Sequence, residues 1–231
     1  MKPKSVLATV SQITALTEGI FQLLVVPETF VNYHAGQYLK IQFDHDESCY
    51  SIANAPIERH HYELHIRINC QSNEGKKLYQ ALTKGHHIHL SLPFGHCHLN
   101  QLHQKKPIVF IAGGTGITPI KAMIEQQIAH KIECDMTLFW GARSPEDLYL
   151  EPLIKQWQHQ ATQLKYYAHT PQTSQQSLMD SVLEHTQQPI LRQSHIVISG
   201  PFDLAYHIRD KLVAYGIPLE NLFSDAFDFE R

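Results

Sequence analysis

Over roughly the first hundred residues, apolar side chains partly alternate with polar ones in short runs: "SVLATVSQIT", "GIFQLLVV", "QYLKIQF", "SCYSIANA", "YELHIRI" and "HHIHLSL". A period of two, broken by Gly, Pro, Asn and Asp, predicts short β-strands. In "YELHIRI", Tyr62, Leu64, Ile66 and Ile68 share one face and Glu63, His65 and Arg67 the other, so one face packs and the other is wet or binds something. Only "EGKKLYQAL" has helical spacing in this half. Six short strands and one helix predict a small antiparallel β-barrel.

After "LNQLHQKKP" the rhythm changes. "IVFIA" is a continuous apolar run, and "TPIKAMIEQQIAH" follows with apolar residues at helical spacing. "MTLFW", "PEDLYLEPLIKQW", "LKYYAH", "SLMDSVLEH", "HIVIS" and "FDLAYHIRDKLVAY" continue the alternation. Strand and helix in turn predict an α/β domain, a parallel sheet covered on both faces. The change falls between Gln101 and Lys106, giving a barrel domain over 1–102 and an α/β domain over 103–231. "TPQTSQQS" is the expected mobile loop of the second half.

Composition agrees with two small domains: 231 residues, 43% hydrophobic and 18% charged, leave room for sizeable cores. With 19 basic against 22 acidic residues the net charge is −3, which removes the electrostatic case for nucleic acid. No run has the length of a membrane span or of a signal core, so a cytoplasmic chain without membrane contact is expected. Cys49, Cys70, Cys97 and Cys134 form no C-x-x-C pair, which argues against a cluster or structural zinc. Eight of the 17 histidines crowd into "ERHHYELHI", "GHHIHLSL" and "GHCHL", but no acid completes a ligand set at a recognisable spacing, so no metal site is expected.

The strongest local signal is "VFIAGGTGITPIKAM". A buried strand runs into Gly113-Gly114-Thr115-Gly116, and Ile117 leads into a helix predicted to start with Thr118 as N-cap and Pro119 at its first position. Glycines let the backbone turn sharply and approach a ligand, and a helix N-terminus offers unpaired N–H groups to an anion. This is not the G-x-G-x-x-G fingerprint, because Pro119 stands where the third glycine belongs, and no acid ends the second strand, where "LFWGARS" carries Arg143. No Gly-Lys-Ser/Thr follows, so it is not a Walker loop either. A tight structural turn remains the alternative to a nucleotide site.

Three stretches agree on more. "CYSIANAP" on a barrel strand, "IAGGTGITP" opening a nucleotide-type domain, and "ISGPFDLA" with a closing "FSDAF" resemble the ferredoxin-NADP reductase superfamily. In order and spacing the chain is most similar to its single-chain NAD(P)H:flavin oxidoreductases, including the flavin reductases of luminous bacteria, and "LFWGARSPEDLY" adds a fourth match. The resemblance implies a barrel that holds an isoalloxazine ring and a second domain that delivers NADH or NADPH to it. The family's first motif reads Arg-x-Tyr/Phe-Ser; here Tyr50 and Ser51 match, Cys49 fills the variable position, and Ser48 stands in the arginine's place. In relatives with permanently bound flavin that arginine pairs with the flavin phosphate. Its absence favours FMN, riboflavin or FAD as a substrate that comes and goes, with Arg67 as the one candidate replacement.

The resemblance also assigns roles. It implies that the Ser51 hydroxyl reaches toward flavin N5, where a donor stabilises charge arriving with the hydride; read alone, Ser51 is a strand serine bonded to backbone. Tyr50 would lie along the flavin, and His65 and Ile66 would supply backbone groups and an apolar edge to the ring. Gly113 to Gly116 would face the nicotinamide and its pyrophosphate. Ser199-Gly200-Pro201, in place of the Cys-Gly-Pro of many relatives, would form a third wall. Phe227 or Phe229 would cover the flavin, or else pack as core. Released reduced flavin would serve a flavin-dependent monooxygenase or a luciferase-like enzyme. Two readings compete: a reductase component that keeps its flavin and passes electrons to an oxygenase or other protein, and a non-catalytic nucleotide-binding module.

Overall fold

The computed structural model describes residues 2–43, 46–57, 60–83, 85–103, 106–172 and 177–229. Its first half contains β1 (Lys4–Ala15), β2 (Ile20–Pro27), β3 (Tyr38–Phe43), β4 (Asp46–Ser51), β5 (Tyr62–Arg67), α1 (Asn73–Ala81) and β6 (His87–Phe94). These strands form one antiparallel six-stranded sheet in the order β4-β3-β6-β1-β2-β5. Alternation sends Val10, Leu23, Leu39, Ile41, Tyr62, Leu64, Ile66 and Leu90 into a shared core.

The strands form the antiparallel sheet expected of the barrel domain, and among the described residues its edge strands β4 and β5 meet without a ladder between them. Beyond the end of β4 the Ala53 N–H donates to the Glu63 carbonyl at 2.7 Å, and the Glu63 N–H donates to the Asn54 side chain at 2.9 Å. There the Asn54 amide oxygen takes the place of a backbone partner, and Pro56, two residues on, has no N–H to extend a ladder.

The second half alternates as its periodicity predicts: β7 (Ile108–Gly113), α2 (Ile117–Ala129), β8 (Met136–Gly141), α3 (Glu151–Gln160), β9 (Leu164–His169), α4 (Leu178–His185), α5 (Gln188–Gln193), β10 (His195–Ser199), α6 (Phe202–Ala214) and β11 (Leu222–Phe223). All five strands are parallel, in the order β11-β10-β7-β8-β9. Central β7 is buried throughout. Ile108, Phe110 and Ala112 enter the core on one side of the sheet, and Val109 and Ile111 enter the core on the other. The continuous apolar run is thus the mark of a strand covered twice. Of the expected loop "TPQTSQQS", residues 173–176 lie outside the described residues, as do 104 and 105 of the expected boundary.

The face of β5 expected to be wet or to bind something is largely covered. Glu63 and His65 are 8% and 5% exposed because α2 and the segment before α3 close over them, and only Arg67 reaches solvent.

The segment after β11 returns to the first sheet. There Asp225 accepts the His96 and Cys97 N–H groups, both at 2.8 Å. Burial raises the Asp225 carboxyl to about 6, outweighing the two N–H groups that favour its charge. Between its ordinary value and 6 the folded chain therefore binds more protons than the unfolded one, so this group's contribution to stability falls as pH rises through that window. Both N–H groups use one oxygen, which an asparagine retains. Asp225→Asn is expected to raise the thermal midpoint at pH 7.5, by about 1–3 kcal/mol in stability, and to give no gain at pH 4. A lower midpoint at pH 7.5 would show that the carboxylate's bonds outweigh its burial.

Candidate functional site

A cleft of about 630 Å³ opens between the two halves, within the range that takes drug-sized ligands. Its first wall carries Cys49, Tyr50 and Ser51 from β4 and His65 and Arg67 from β5. Its second wall is built from strand ends: Gly113, Gly141, His169 and Ser199, the last residues of β7, β8, β9 and β10, all line it. Ligands of parallel α/β sheets bind outside the carboxyl ends of the strands, where the side chains of several strands converge.

The loop after β7 is shaped by its glycines. Gly114 has φ +55°, and a Cβ built there meets nothing within 4 Å, so it forms a cradle open to the cleft that a side chain would fill. The other glycines serve packing. A Cβ on Gly116 would fall on the Ser199 carbonyl, one on Gly113 would meet the Leu204 side chain, and one on Gly200 would lie 3.1 Å from the Gly113 carbonyl oxygen. The Trp140 indole N–H donates to the Gly114 carbonyl at 2.9 Å and holds the loop from beneath. Gly114–Gly116 form a 3-10 turn running straight into α2, with Gly116 in helical conformation. The expected N-cap therefore moves from Thr118 to Gly116; Thr118 lies inside the helix, with its hydroxyl donating back to the Thr115 carbonyl at 2.6 Å.

Eleven of the thirteen residues singled out from sequence line this one cleft: Cys49, Tyr50, Ser51, His65, Gly113, Gly114, Thr115, Gly116, Ser199, Gly200 and Pro201. The other two do not. Strand alternation turns the Ile66 side chain into the sheet's core, so it offers no apolar edge, and Ile117 is buried in the α/β core beneath its loop. Phe227 stacks on Tyr206 and Phe229 on Phe202, so both rings are occupied by α6 and neither lines the cleft. Thr118, expected only as a helix cap, lines it too, as do Gly141, Ala142, His169, Pro171, Leu178 and Leu204, which had not been singled out. The strand-end rule, applied to "LFWG" and "LKYYAH", was the available signal for Gly141 and His169.

Among the described residues the Ser51 hydroxyl makes no hydrogen bond within the protein. Burial raises the Tyr50 phenol above its usual range, so it stays protonated at neutral pH. Arg67 meets Asp147, on the segment before α3, at 3.3 Å with over a third of its side chain in solvent; an exposed pair of this kind holds weakly. Arg143 lines the same cleft.

Behind the first wall lies a buried polar cluster. His65 bonds Tyr149 through Nδ1 at 3.0 Å and Glu63 through Nε2 at 2.8 Å, and Glu63 also accepts from Lys121 at 3.1 Å. Burial alone would raise the Glu63 carboxyl, but the His65 bond and the Lys121 charge overcome it and hold it at about 2. Glu125, also paired with Lys121, is raised by burial. Among the described residues no group of three or more His, Cys, Asp or Glu is arranged to hold a metal, and no helix is long and apolar enough to cross a membrane.

Comparison with known proteins bears directly on this architecture. Residues 110–210 match the oxidoreductase NAD-binding domain family. The chain is 32% identical over 202 residues to terephthalate 1,2-dioxygenase reductase component 1 of Comamonas sp, a match covering 84% of this chain and 59% of that protein. It is 25% identical over 227 residues to a probable flavin reductase of Aliivibrio fischeri, covering 94% and 95% of the two chains. The fold superposes on a ferredoxin NADP+ reductase from Neisseria gonorrhoeae with a TM-score of 0.80 at 15% identity, over 96% of this chain and 98% of that one. The chain thus spans about three fifths of the oxygenase-associated relative and nearly all of the flavin reductase. With its antiparallel sheet, its parallel sheet and the cleft between them, the chain carries an oxidoreductase NAD-binding domain over residues 110–210, shares the fold of a ferredoxin NADP+ reductase, and is similar along nearly its whole length to a probable flavin reductase.

Proposed function

We propose that this chain uses NADH or NADPH to reduce free flavin, with residues 1–102 holding the flavin and residues 103–231 the nicotinamide cofactor. The nicotinamide supplies a hydride, two electrons and one proton, to flavin N5; one solvent proton completes the reduced flavin, which leaves as product beside NAD(P)+. The observation that carries this reading is the single cleft with Ser51 and Tyr50 on one wall and Gly113 to Gly116 on the other. Gly114 provides the close backbone approach that a dinucleotide needs, Ser199-Gly200-Pro201 close the nicotinamide side, and among the described residues the Ser51 hydroxyl has no hydrogen-bond partner to leave.

The release of flavin is supported by what stands around its phosphate. Ser48 replaces the arginine that anchors it elsewhere in the family, and Arg67, the candidate replacement on the first wall of the cleft, is bonded to Asp147. Riboflavin, FMN and FAD are therefore expected to have KM values within about tenfold of one another, a spread of less than about 1.4 kcal/mol. Steady-state kinetics with the three flavins checks this, and a hundredfold preference for FMN over riboflavin would contradict it. The reduced flavin would feed a flavin-dependent monooxygenase or a luciferase-like enzyme in the cytoplasm.

The second reading keeps the flavin bound and passes electrons to an oxygenase partner. It is favoured by the similarity to the terephthalate dioxygenase reductase. In that case Arg67 would exchange Asp147 for the flavin phosphate, and the purified protein would be yellow.

A further inference from the structure

We propose that Lys121 and Glu125 are positioning residues for hydride transfer: from behind the cleft they tie the chain leaving Ser51 to the helix that starts at the glycine loop, and so set the separation of the two walls. The inference rests on the reading that hydride crosses this cleft.

Lys121 is 4% exposed, and its ammonium has three acceptors for its three hydrogens: Glu125 Oε1 at 2.8 Å, Glu63 Oε2 at 3.1 Å and the Ala53 carbonyl at 3.3 Å. Ala53 lies two residues beyond Ser51. Glu125, one turn along α2, accepts the Ala55 N–H at 3.3 Å through its second oxygen. Through Glu63, which accepts from His65 Nε2, the same ammonium also orients the ring that lines the first wall. Lys121 itself sits one turn after Ile117, where the loop ends. One side chain therefore registers both reacting walls against a single helix.

Burying two carboxylates and an ammonium is a poor way to gain stability, since well-packed apolar residues commonly do as well. What the ions add is direction and fixed distance, the quantities to which a hydride donor and acceptor are most sensitive, with about a hundredfold in rate for an ångström of misplacement. A cleft of about 460 Å³, lined by Glu63, Lys121, Glu125 and Trp157, opens behind the cluster and gives small solutes access to it.

The test is stopped-flow measurement of hydride transfer in Lys121→Ala at saturating NAD(P)H and flavin, using cofactor with and without deuterium at C4. Binding of both ligands is measured separately and folding is followed by circular dichroism. The rate is expected to fall about tenfold to a hundredfold, with both dissociation constants nearly unchanged, a larger isotope effect, and partial recovery when propylamine is added. A folded variant with the wild-type transfer rate, or one whose loss comes entirely from weaker binding, overturns the proposal. Should Lys121→Ala not fold, Glu125→Gln carries the same test: a lower transfer rate with unchanged binding supports the inference, and a wild-type rate overturns it. Wild-type protein that transfers no hydride to any flavin would instead overturn the underlying functional reading.

Discussion

Ser51→Ala is expected to lower the rate of hydride transfer by about a hundredfold while leaving flavin affinity within a few-fold of wild type. The hydroxyl lines the cleft, has no hydrogen bond within the protein among the described residues, and stands on a strand end held by Ala53 and Asn54. A donor so placed costs little in the resting protein. It strengthens its bond only as the ring gains negative charge, so its loss is felt in the transition state more than in binding. Single-turnover rates and flavin titrations on the variant check this. Weaker binding with full turnover at saturation would make Ser51 a binding residue.

The second large effect concerns stability. Gly116→Val is expected to cost more than about 3 kcal/mol, or to prevent folding, because a Cβ there falls on backbone atoms of Ser199 and Gly200. Backbone at the end of β10 cannot turn aside as a side chain does. Two residues earlier the outcome reverses in kind. At Gly114 a Cβ meets no protein atom, so Gly114→Ala loses only the about 1–2 kcal/mol of a left-handed conformation, and its methyl occupies the cradle and raises the KM for NAD(P)H. Thermal denaturation of both variants, with NAD(P)H kinetics on the second, separates a packing glycine from a binding one.

These predictions differ in how visible their grounds were in the chain. Alternation and glycine spacing marked β5, β7 and the loop, because period and turn chemistry are local properties. Ser51 and Gly113 to Gly116 could be placed on opposite walls from the resemblance alone. The polar face of β5 was harder: Glu63 and His65 alternate with core residues and read as solvated or ligand-binding, and nothing in their spacing showed that α2 closes over them. Lys121 has the spacing of an ordinary helical lysine, and its three acceptors come from residues 53, 63 and 125, brought together only by the fold. The side chains of Ile66 and Ile117 were drawn toward the ligand by their neighbours in sequence, whereas alternation on the strand and packing of the helix start turn them inward. Barrel closure depended on one pair of edge strands that meets at Ala53 and Asn54 without forming a ladder.

The central claim, that flavin is a substrate of this cleft, is tested most directly by NAD(P)H oxidation with purified, desalted protein, with and without added FMN or riboflavin, after its visible spectrum is recorded. A nearly colourless protein that oxidises NAD(P)H only when flavin is supplied is the predicted result. A yellow protein that reduces an artificial acceptor without added flavin would contradict it.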